Sequence, residues 1–151
     1  MIEQPKHGYI ATQPFYCRTT VQMRFDDMDA LGHMHNSKYL GLFDLGRVDY
    51  FNQMHHEPMS LSHPPAMIAH LECDFLNQTV WGEPLQVLTQ ITHIGTKSFT
   101  MFQQLINSDT GQIKCTCSSV MVYLADDSLV PAPIPARWRD EIEAFERHPV
   151  E

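Results

Sequence analysis

Residues 36–54 of the chain read NSKYLGLFDLGRVDYFNQM. Apolar and aromatic side chains recur in this stretch every three or four residues, a spacing that indicates one broad apolar face on a long helix. That face comprises Tyr39, Leu40, Phe43, Arg47, Tyr50, Phe51 and Met54. Asn36-Ser37 offers an amino-terminal cap, and Glu57-Pro58 follows the expected end of the helix.

Two glycines interrupt this helical stretch. Gly41 and Gly46 each cost a helix about 1 kcal/mol relative to alanine. Their presence indicates that another element packs very close to the helix backbone. A sheet wrapped around the helix would do so.

The rest of the chain predicts strands on both sides of this helix. One strand is expected at 16–25, followed by a polar loop at 26–35. After the helix, strands are expected at 66–77, 85–94, 98–106 and 112–124, with short turns typical of an antiparallel meander. A proline-rich connector at 131–135 leads to a short terminal helix at 136–147. The order predicts an α+β fold in a single domain over 1–151, with its core at about 16–125.

Composition excludes several classes of protein. With 151 residues, 43% of them hydrophobic, the chain can bury a core, so it is not a disordered segment. A formal charge of −8 does not suit a nucleic-acid binder. No apolar run approaches the roughly 18–20 residues of a membrane span. The first eight residues, MIEQPKHG, lack the apolar stretch of a secretory signal, so a cytoplasmic location with reduced, structural cysteines is expected.

The densest chemistry precedes the helix, where residues 24–36 read RFDDMDALGHMHN. Three carboxylates and two histidines lie here, beside the amino end of the helix, where backbone N–H groups are free. A polar loop of this kind is common between elements. The alternative is a hydrolytic site, in which the N–H groups polarise a carbonyl and a carboxylate attacks it or activates water.

Residues 21–40, VQMRFDDMDALGHMHNSKYL, together with Arg47, resemble the signature of a known family. The signature is an Asp-x-Asp, a Gly-His, an Asn or His before a helix, a Tyr-Leu and a later Arg. It is that of the 4-hydroxybenzoyl-CoA thioesterase-like branch of the hotdog-fold acyl-CoA thioesterases. Later motifs agree in order: Phe75, Trp81-Gly82-Glu83, Gly95-Thr96-Lys97-Ser98-Phe99, Asp109-Thr110-Gly111 and Pro133-Ile134-Pro135. The resemblance covers roughly residues 17–138.

This resemblance implies a hotdog fold, in which a curved antiparallel sheet of about five strands wraps around one long helix. It also implies a homodimer or homotetramer with sites at subunit interfaces, acting on an acyl-CoA without a cofactor or metal. Asp29 falls on the catalytic carboxylate, as nucleophile or general base. Asn36 falls where relatives position the substrate carbonyl or water, and His33 and Asp27 flank them.

For the substrate, the resemblance implies contacts from Lys97, Ser98, Met67 and Tyr39. Some relatives bind CoA phosphates near the position of Lys97. Some supply an oxyanion-hole N–H from a glycine, but Pro65 stands at the comparable position here and has no N–H to donate. Ala66, Met67 or the start of the helix would then supply the donor.

Other interpretations of the same residues stay open. Another hotdog branch carries its acid on the helix, where Asp44 lies, although Asp44 can instead pair with Arg47 three residues on. Five histidines invite a metal site but lack a characteristic ligand spacing; they are His33, His35, His55, His56 and His63. A non-catalytic acyl-CoA binder and an enoyl-thioester hydratase are the alternative functions, since a fold does not fix a function.

Overall fold

The computed structural model describes residues 11–60, 62–125 and 129–151. The sequence predictions made on residues 1–10 therefore lie outside the described residues. The described residues form two helices and five strands, in the order β1 (Cys17–Val21), α1 (Asn36–His55), β2 (Ala66–Phe75), β3 (Leu85–Ile94), β4 (Ser98–Asn107), β5 (Ile113–Tyr123) and α2 (Ala136–Glu146). A short 3-10 turn, Phe25–Asp27, lies between β1 and α1.

The strands form one open antiparallel sheet in the order β1-β3-β4-β5-β2. β3, β4 and β5 form a meander, and β2 adds to the outer edge of β5. Bulges interrupt β2 at Ile68/His70 and β3 at Ile91/His93, and such bulges bend a sheet. Helix α1 packs against β1, β3 and β4, which confirms the predicted sheet on a long helix.

Two apolar clusters join the helices to the sheet. In one, the second half of α1 packs with α2 and the middle strands through Tyr50, Phe51 and Trp138. In the other, the first half of α1 packs against β3 and β5 through Tyr39, Leu42 and Phe43. This second cluster includes Met34 and therefore holds the polar loop before α1 against the sheet.

The glycine prediction is confirmed at one position and wrong at the other. A Cβ atom on Gly46 would lie 2.5 Å from Val87 Cγ1 and 2.8 Å from Gln103 Nε2, so α1 does approach the sheet closely there. A Cβ atom on Gly41 would meet nothing within 4 Å. Gly41 lies on the exposed side of α1, where no strand covers the helix.

The start and the apolar face of α1 also differ from the prediction. His35, rather than Asn36-Ser37, is the capping residue, and no side chain caps the helix. Its backbone N–H donates to the Asp27 carbonyl at 2.9 Å, which fixes where the helix begins. Leu40 is exposed and Leu42 is buried in its place, because the sheet lies on the Leu42 side.

Other boundaries differ by a few residues. β1 ends at Val21 rather than at 25, since the chain turns into the 3-10 turn at Phe25–Asp27. β2 ends at Phe75 rather than at 77, because the Leu76 and Asn77 amides both bond to the Lys114 carbonyl. Helix α2 ends at Glu146, where Arg147 adopts a left-handed conformation. In the described part of the chain, neither helix is both long and apolar enough to cross a membrane.

Candidate active site

The loop before α1 is closed by the Asp29 carboxylate. Asp29 Oδ1 accepts hydrogen bonds from the backbone N–H groups of Leu31 at 2.9 Å and His33 at 3.0 Å. The Asp29 backbone N–H donates to the His33 carbonyl at 2.7 Å. Gly32 completes the turn with a φ of +79°, a conformation that favours glycine. These bonds fix the carboxylate in position.

The same hydrogen bonds keep Asp29 ionised. The His33 backbone N–H is the largest cause that lowers the pKa of Asp29 below its ordinary value of 3.8, and the Leu31 N–H and the neighbouring His33 and His35 side chains lower it further. In the described part of the chain, Asp29 Oδ2 accepts no hydrogen bond. One oxygen is therefore held by the backbone, and the other is free for a substrate or water.

Two further contacts dock this loop against the segment that follows β2. The Met34 N–H donates to the Thr79 carbonyl at 2.9 Å, and His33 forms a bridge with Val80. The Tyr39 hydroxyl donates to Thr79 Oγ1 at 3.0 Å, and burial raises the pKa of Tyr39. The loop, the start of α1 and the end of β2 thus meet at one place.

A pocket of about 350 Å³ lies where these segments meet. Four residues predicted to be functional line it: Asp29, His33, Asn36 and Tyr39. On the facing side it is lined by residues 75–78, and Tyr39 meets Phe75 edge-to-face with ring centroids 5.5 Å apart. Apolar rings and a fixed carboxylate therefore share one cavity.

Free backbone donors lie at the start of α1, where Asn36 lines the pocket. Helix α1 has 20 residues and no side-chain cap. Among the described residues, no acceptor receives the N–H groups of Asn36 and Ser37, whereas Lys38 donates to the His35 carbonyl. The amino end of a long helix carries a partial positive charge. These donors can stabilise an oxygen on which negative charge develops.

The other three predicted substrate contacts lie elsewhere in the protomer. Lys97 and Ser98 lie at the turn between β3 and β4, and Met67 lies at the start of β2. Ser98 and Met67 both pair with Val122, so all three residues are at the same end of the sheet. Met67 precedes Phe75 by eight residues on β2, a separation of about 25 Å along a strand.

Sequence reasoning missed the wall formed by residues 75–78. Phe75 was recognised as a family motif, but Asn77 and Gln78, which also line the pocket, were not predicted. Buried Lys114 anchors this wall, since its ammonium contacts Glu83 at 2.6 Å and the Gln78 carbonyl at 3.1 Å. A lysine within an apolar strand pattern was the available signal.

Side-chain contacts resolve the alternative interpretation of Asp44. Asp44 pairs with buried Arg47, whose other nitrogen donates to Gln103 Oε1 at 2.8 Å. This confirms the favoured pairing, and Asp44 does not line the pocket. Asp27 accepts a hydrogen bond from the Arg24 N–H at 2.7 Å and lies near Lys38, so it supports the loop. Among the described residues, no three His, Cys, Asp or Glu side chains are arranged to bind a metal ion together.

Comparisons with known proteins agree with the fold. The model of the thioesterase-like superfamily matches residues 23–144. An uncharacterized protein of Bacillus subtilis, YsmA, is 28% identical over 130 residues, 84% of each chain. A Thermus thermophilus thioesterase, solved with coenzyme A and Zn, is 29% identical with a TM-score of 0.79, over 89% of this chain and 98% of that one. A predicted thioesterase from Bacillus stearothermophilus is 26% identical with a TM-score of 0.76, over 87% and 97%.

Proposed function

This chain belongs to the thioesterase-like superfamily, and from that premise we propose that it hydrolyses an acyl-CoA thioester to a carboxylic acid and CoA. The acyl C–S bond breaks, a C–O bond forms with oxygen from water, and the sulfur leaves as the CoA thiol. The observation that carries the proposal is that Asp29, which is ionised, lines the pocket with one carboxylate oxygen fixed by the backbone and the other free.

The amino end of α1 supplies the electrostatic part of this mechanism. The thioester carbonyl accepts hydrogen bonds from the Asn36 and Ser37 N–H groups, which have no acceptor of their own in the described residues. Each donor to a developing oxyanion contributes about 10²–10³ in rate. This assignment removes the need for a donor at Pro65, whose carbonyl instead accepts the Leu124 N–H at 3.0 Å.

Asp29 Oδ2 then attacks the carbonyl or takes a proton from the attacking water. Direct attack gives a mixed anhydride that water then opens, whereas general base catalysis gives the acid in one step. The Asn36 side chain orients the carbonyl or the water, and His33 lies beside them in the pocket. In a single turnover in ¹⁸O-labelled water, label in Asp29 identifies direct attack with the anhydride opened at the Asp29 carbonyl, whereas general base catalysis places label in the released acid alone.

The remaining substrate contacts require a second copy of the chain. β2 is an edge strand of 10 residues with Met67, Ile68 and Phe75 exposed, and an exposed edge pairs readily with another strand. Antiparallel pairing of two β2 edges about a twofold axis brings the partner's Met67 end beside the Phe75 end of the first protomer. Each subunit then contributes substrate contacts to the site of its partner through Met67, Lys97 and Ser98. In this arrangement Lys97 binds a CoA phosphate.

The direct test is thiol release from a panel of short-chain, long-chain and aromatic acyl-CoAs. Turnover of at least one ester supports the proposal, and the preferred ester defines the acyl group that the pocket accepts. CoA esters that bind without releasing thiol would point to the alternative, a non-catalytic acyl-CoA binder. Addition of water to an enoyl-CoA without loss of CoA would point to a hydratase.

A further inference from the structure

Three of the four cysteines lie together beneath α1. Cys73 is on β2, and Cys115 and Cys117 are on β5. All three belong to the cluster that contains Tyr39, Leu42 and Phe43 of α1, so their side chains share the face of the sheet that the helix covers. The proposed hydrolysis does not use these thiols.

The strand register places two of these thiols directly opposite each other. Cys73 pairs with Cys117 across the β2–β5 ladder, whereas Cys115 pairs with Phe75 and is diagonal to Cys73. Directly opposite residues of antiparallel strands have Cα atoms about 4.5–5.5 Å apart. A disulfide needs about 4.4–6.8 Å, so the Cα separation expected for this register lies within the range of a disulfide between Cys73 and Cys117.

The environment makes Cys73 the reactive member of the group. Cys73 is partly exposed at the sheet edge, whereas Cys115 and Cys117 are buried. The adjacent thiols of Cys115 and Cys117 and the charge of Arg47 lower the pKa of Cys73. The neighbouring Cys73 and burial raise the pKa of Cys117. A partly exposed thiolate beside a buried thiol has the arrangement of a nucleophile and a resolving cysteine.

We propose that Cys73 and Cys117 are a redox modification site that forms a reversible intrachain disulfide on reaction with a hydroperoxide. The Cys73 thiolate attacks the peroxide, which releases hydroxide from hydrogen peroxide and leaves a sulfenic acid. The Cys117 thiol then attacks that sulfur, forming the S–S bond and releasing water. Two thiols lose two electrons, and the peroxide is reduced to two molecules of water.

The bond would tie the edge strand to its neighbour next to the pocket. Phe75, which lines the pocket, lies two residues from Cys73 on β2 and therefore on the same face. Pairing of β2 edges between subunits uses main-chain groups, so it leaves the Cys73 and Cys117 thiols unbonded. The proposal does not depend on the hydrolysis of a thioester.

The test begins with the reduced full-length wild-type protein and hydrogen peroxide. Free thiols are counted in denaturant, and we expect two of the four to be lost, with a mass decrease of two hydrogen atoms and full recovery in dithiothreitol. Trypsin places Cys73 in the peptide 48–97 and Cys115 with Cys117 in 115–137. A non-reducing digest of the oxidised wild-type protein should contain these two peptides linked by a disulfide. This result does not depend on whether any variant folds.

Serine variants then assign the bond. Cys115→Ser should still lose two thiols, and Cys117→Ser should form no intrachain disulfide. Cys17→Ser is the matched control and should behave as wild type, because Cys17 lies on β1 and burial raises its pKa to about 12. A link to Cys115, a disulfide between two chains on a non-reducing gel, or a wild-type protein that retains all its thiols would each overturn the proposal.

Discussion

At the scale of single residues, the role proposed for Asp29 follows from how its two oxygens differ. Hydrogen bonds from the Leu31 and His33 backbone N–H groups fix Asp29 Oδ1 within the loop. A carboxylate with both oxygens free would rotate, and one with both bonded would be a poor nucleophile. The neighbouring acid, Asp27, is buried and accepts a hydrogen bond from the Arg24 amide, so it supports the loop instead.

The lowered pKa of Asp29 predicts the acid side of the pH profile. A carboxylate with a depressed pKa is ionised above its unperturbed value near 3.8, so activity that requires the ionised form is lost only as the pH falls through the lower pKa. We expect kcat/KM to show no acid limb down to about pH 5. An acid limb at about pH 5–7 that persists in His33→Asn would contradict this.

The buried carboxyl of Glu146 predicts a pH dependence of stability with the opposite sign. Burial is the main cause that raises the pKa of Glu146 above 4.5, and its Oε1 accepts hydrogen bonds from the Tyr50 hydroxyl at 2.6 Å and the Ile91 amide at 2.8 Å. Its contribution to stability is fully present below pH 4.5 and is lost as the pH rises through the raised pKa.

Glu146→Gln should therefore remove that loss. Thermal unfolding of the wild type and the variant across this pH range should show the wild type losing stability relative to Glu146→Gln as the pH rises. Glu143→Gln, at a partly exposed carboxylate on the same helix, is the control and should keep the wild-type slope. A stability difference between Glu146→Gln and wild type that is independent of pH would refute the interpretation.

At the scale of elements, the contact between α1 and the sheet predicts opposite effects of one substitution at two glycines. Gly46→Ala places a Cβ atom 2.5 Å from Val87 Cγ1 and 2.9 Å from Thr89 Oγ1. Overpacking of this kind costs about 1–3 kcal/mol, more than the helix gains from alanine. The Cβ atom added by Gly41→Ala would have no neighbour within 4 Å. This substitution should therefore stabilise the protein by up to about 1 kcal/mol, through the higher helix propensity of alanine.

Urea unfolding of the two variants measures both free energies. The paired comparison controls for helix propensity, because both positions lie inside α1. A Gly46→Ala variant as stable as wild type would mean that the sheet does not approach the helix as closely as the structure shows.

The same elements show what a sequence can and cannot predict. The long helix and the four later strands follow from local spacing, and they were predicted to within a few residues. The buried face of α1 was predicted in six of its seven residues, whereas Leu40 is exposed and Leu42 is buried in its place, a difference that residue type does not reveal. Buried polar positions such as Gln103 and Lys114 likewise depend on distant partners that local patterns do not reveal.

The candidate site divides in the same way. The group of Asp29, His33, Asn36 and Tyr39 is local in sequence, and the turn and helix start bring it to one pocket. Lys97 and Met67 were expected at the same site from the family resemblance. Their distance from the pocket within the chain could not be predicted, since it depends on strand direction and on the pairing order of the sheet.

At the scale of the whole molecule, the proposed β2 pairing predicts that assembly and activity are linked. Ile68 is exposed on β2, so Ile68→Glu should place like charges at a β2–β2 interface and weaken it. We expect light scattering to show a dimer or tetramer for the wild type and a shift toward monomer for the variant, with loss of turnover. Val130→Glu changes an exposed apolar residue outside the sheet and should change neither property. A fully active monomer would exclude a shared site.

The most direct measurement of the central claim is thiol release by Asp29→Asn. It is compared with Asp26→Asn, which removes an exposed carboxylate from the same loop whose ion pair with Arg24 contributes little. Asp29→Asn should lower kcat/KM by at least about 100-fold, while Asp26→Asn stays within about twofold of wild type. If Asp29→Asn retains activity within a few-fold of wild type, Asp29 is not the catalytic carboxylate.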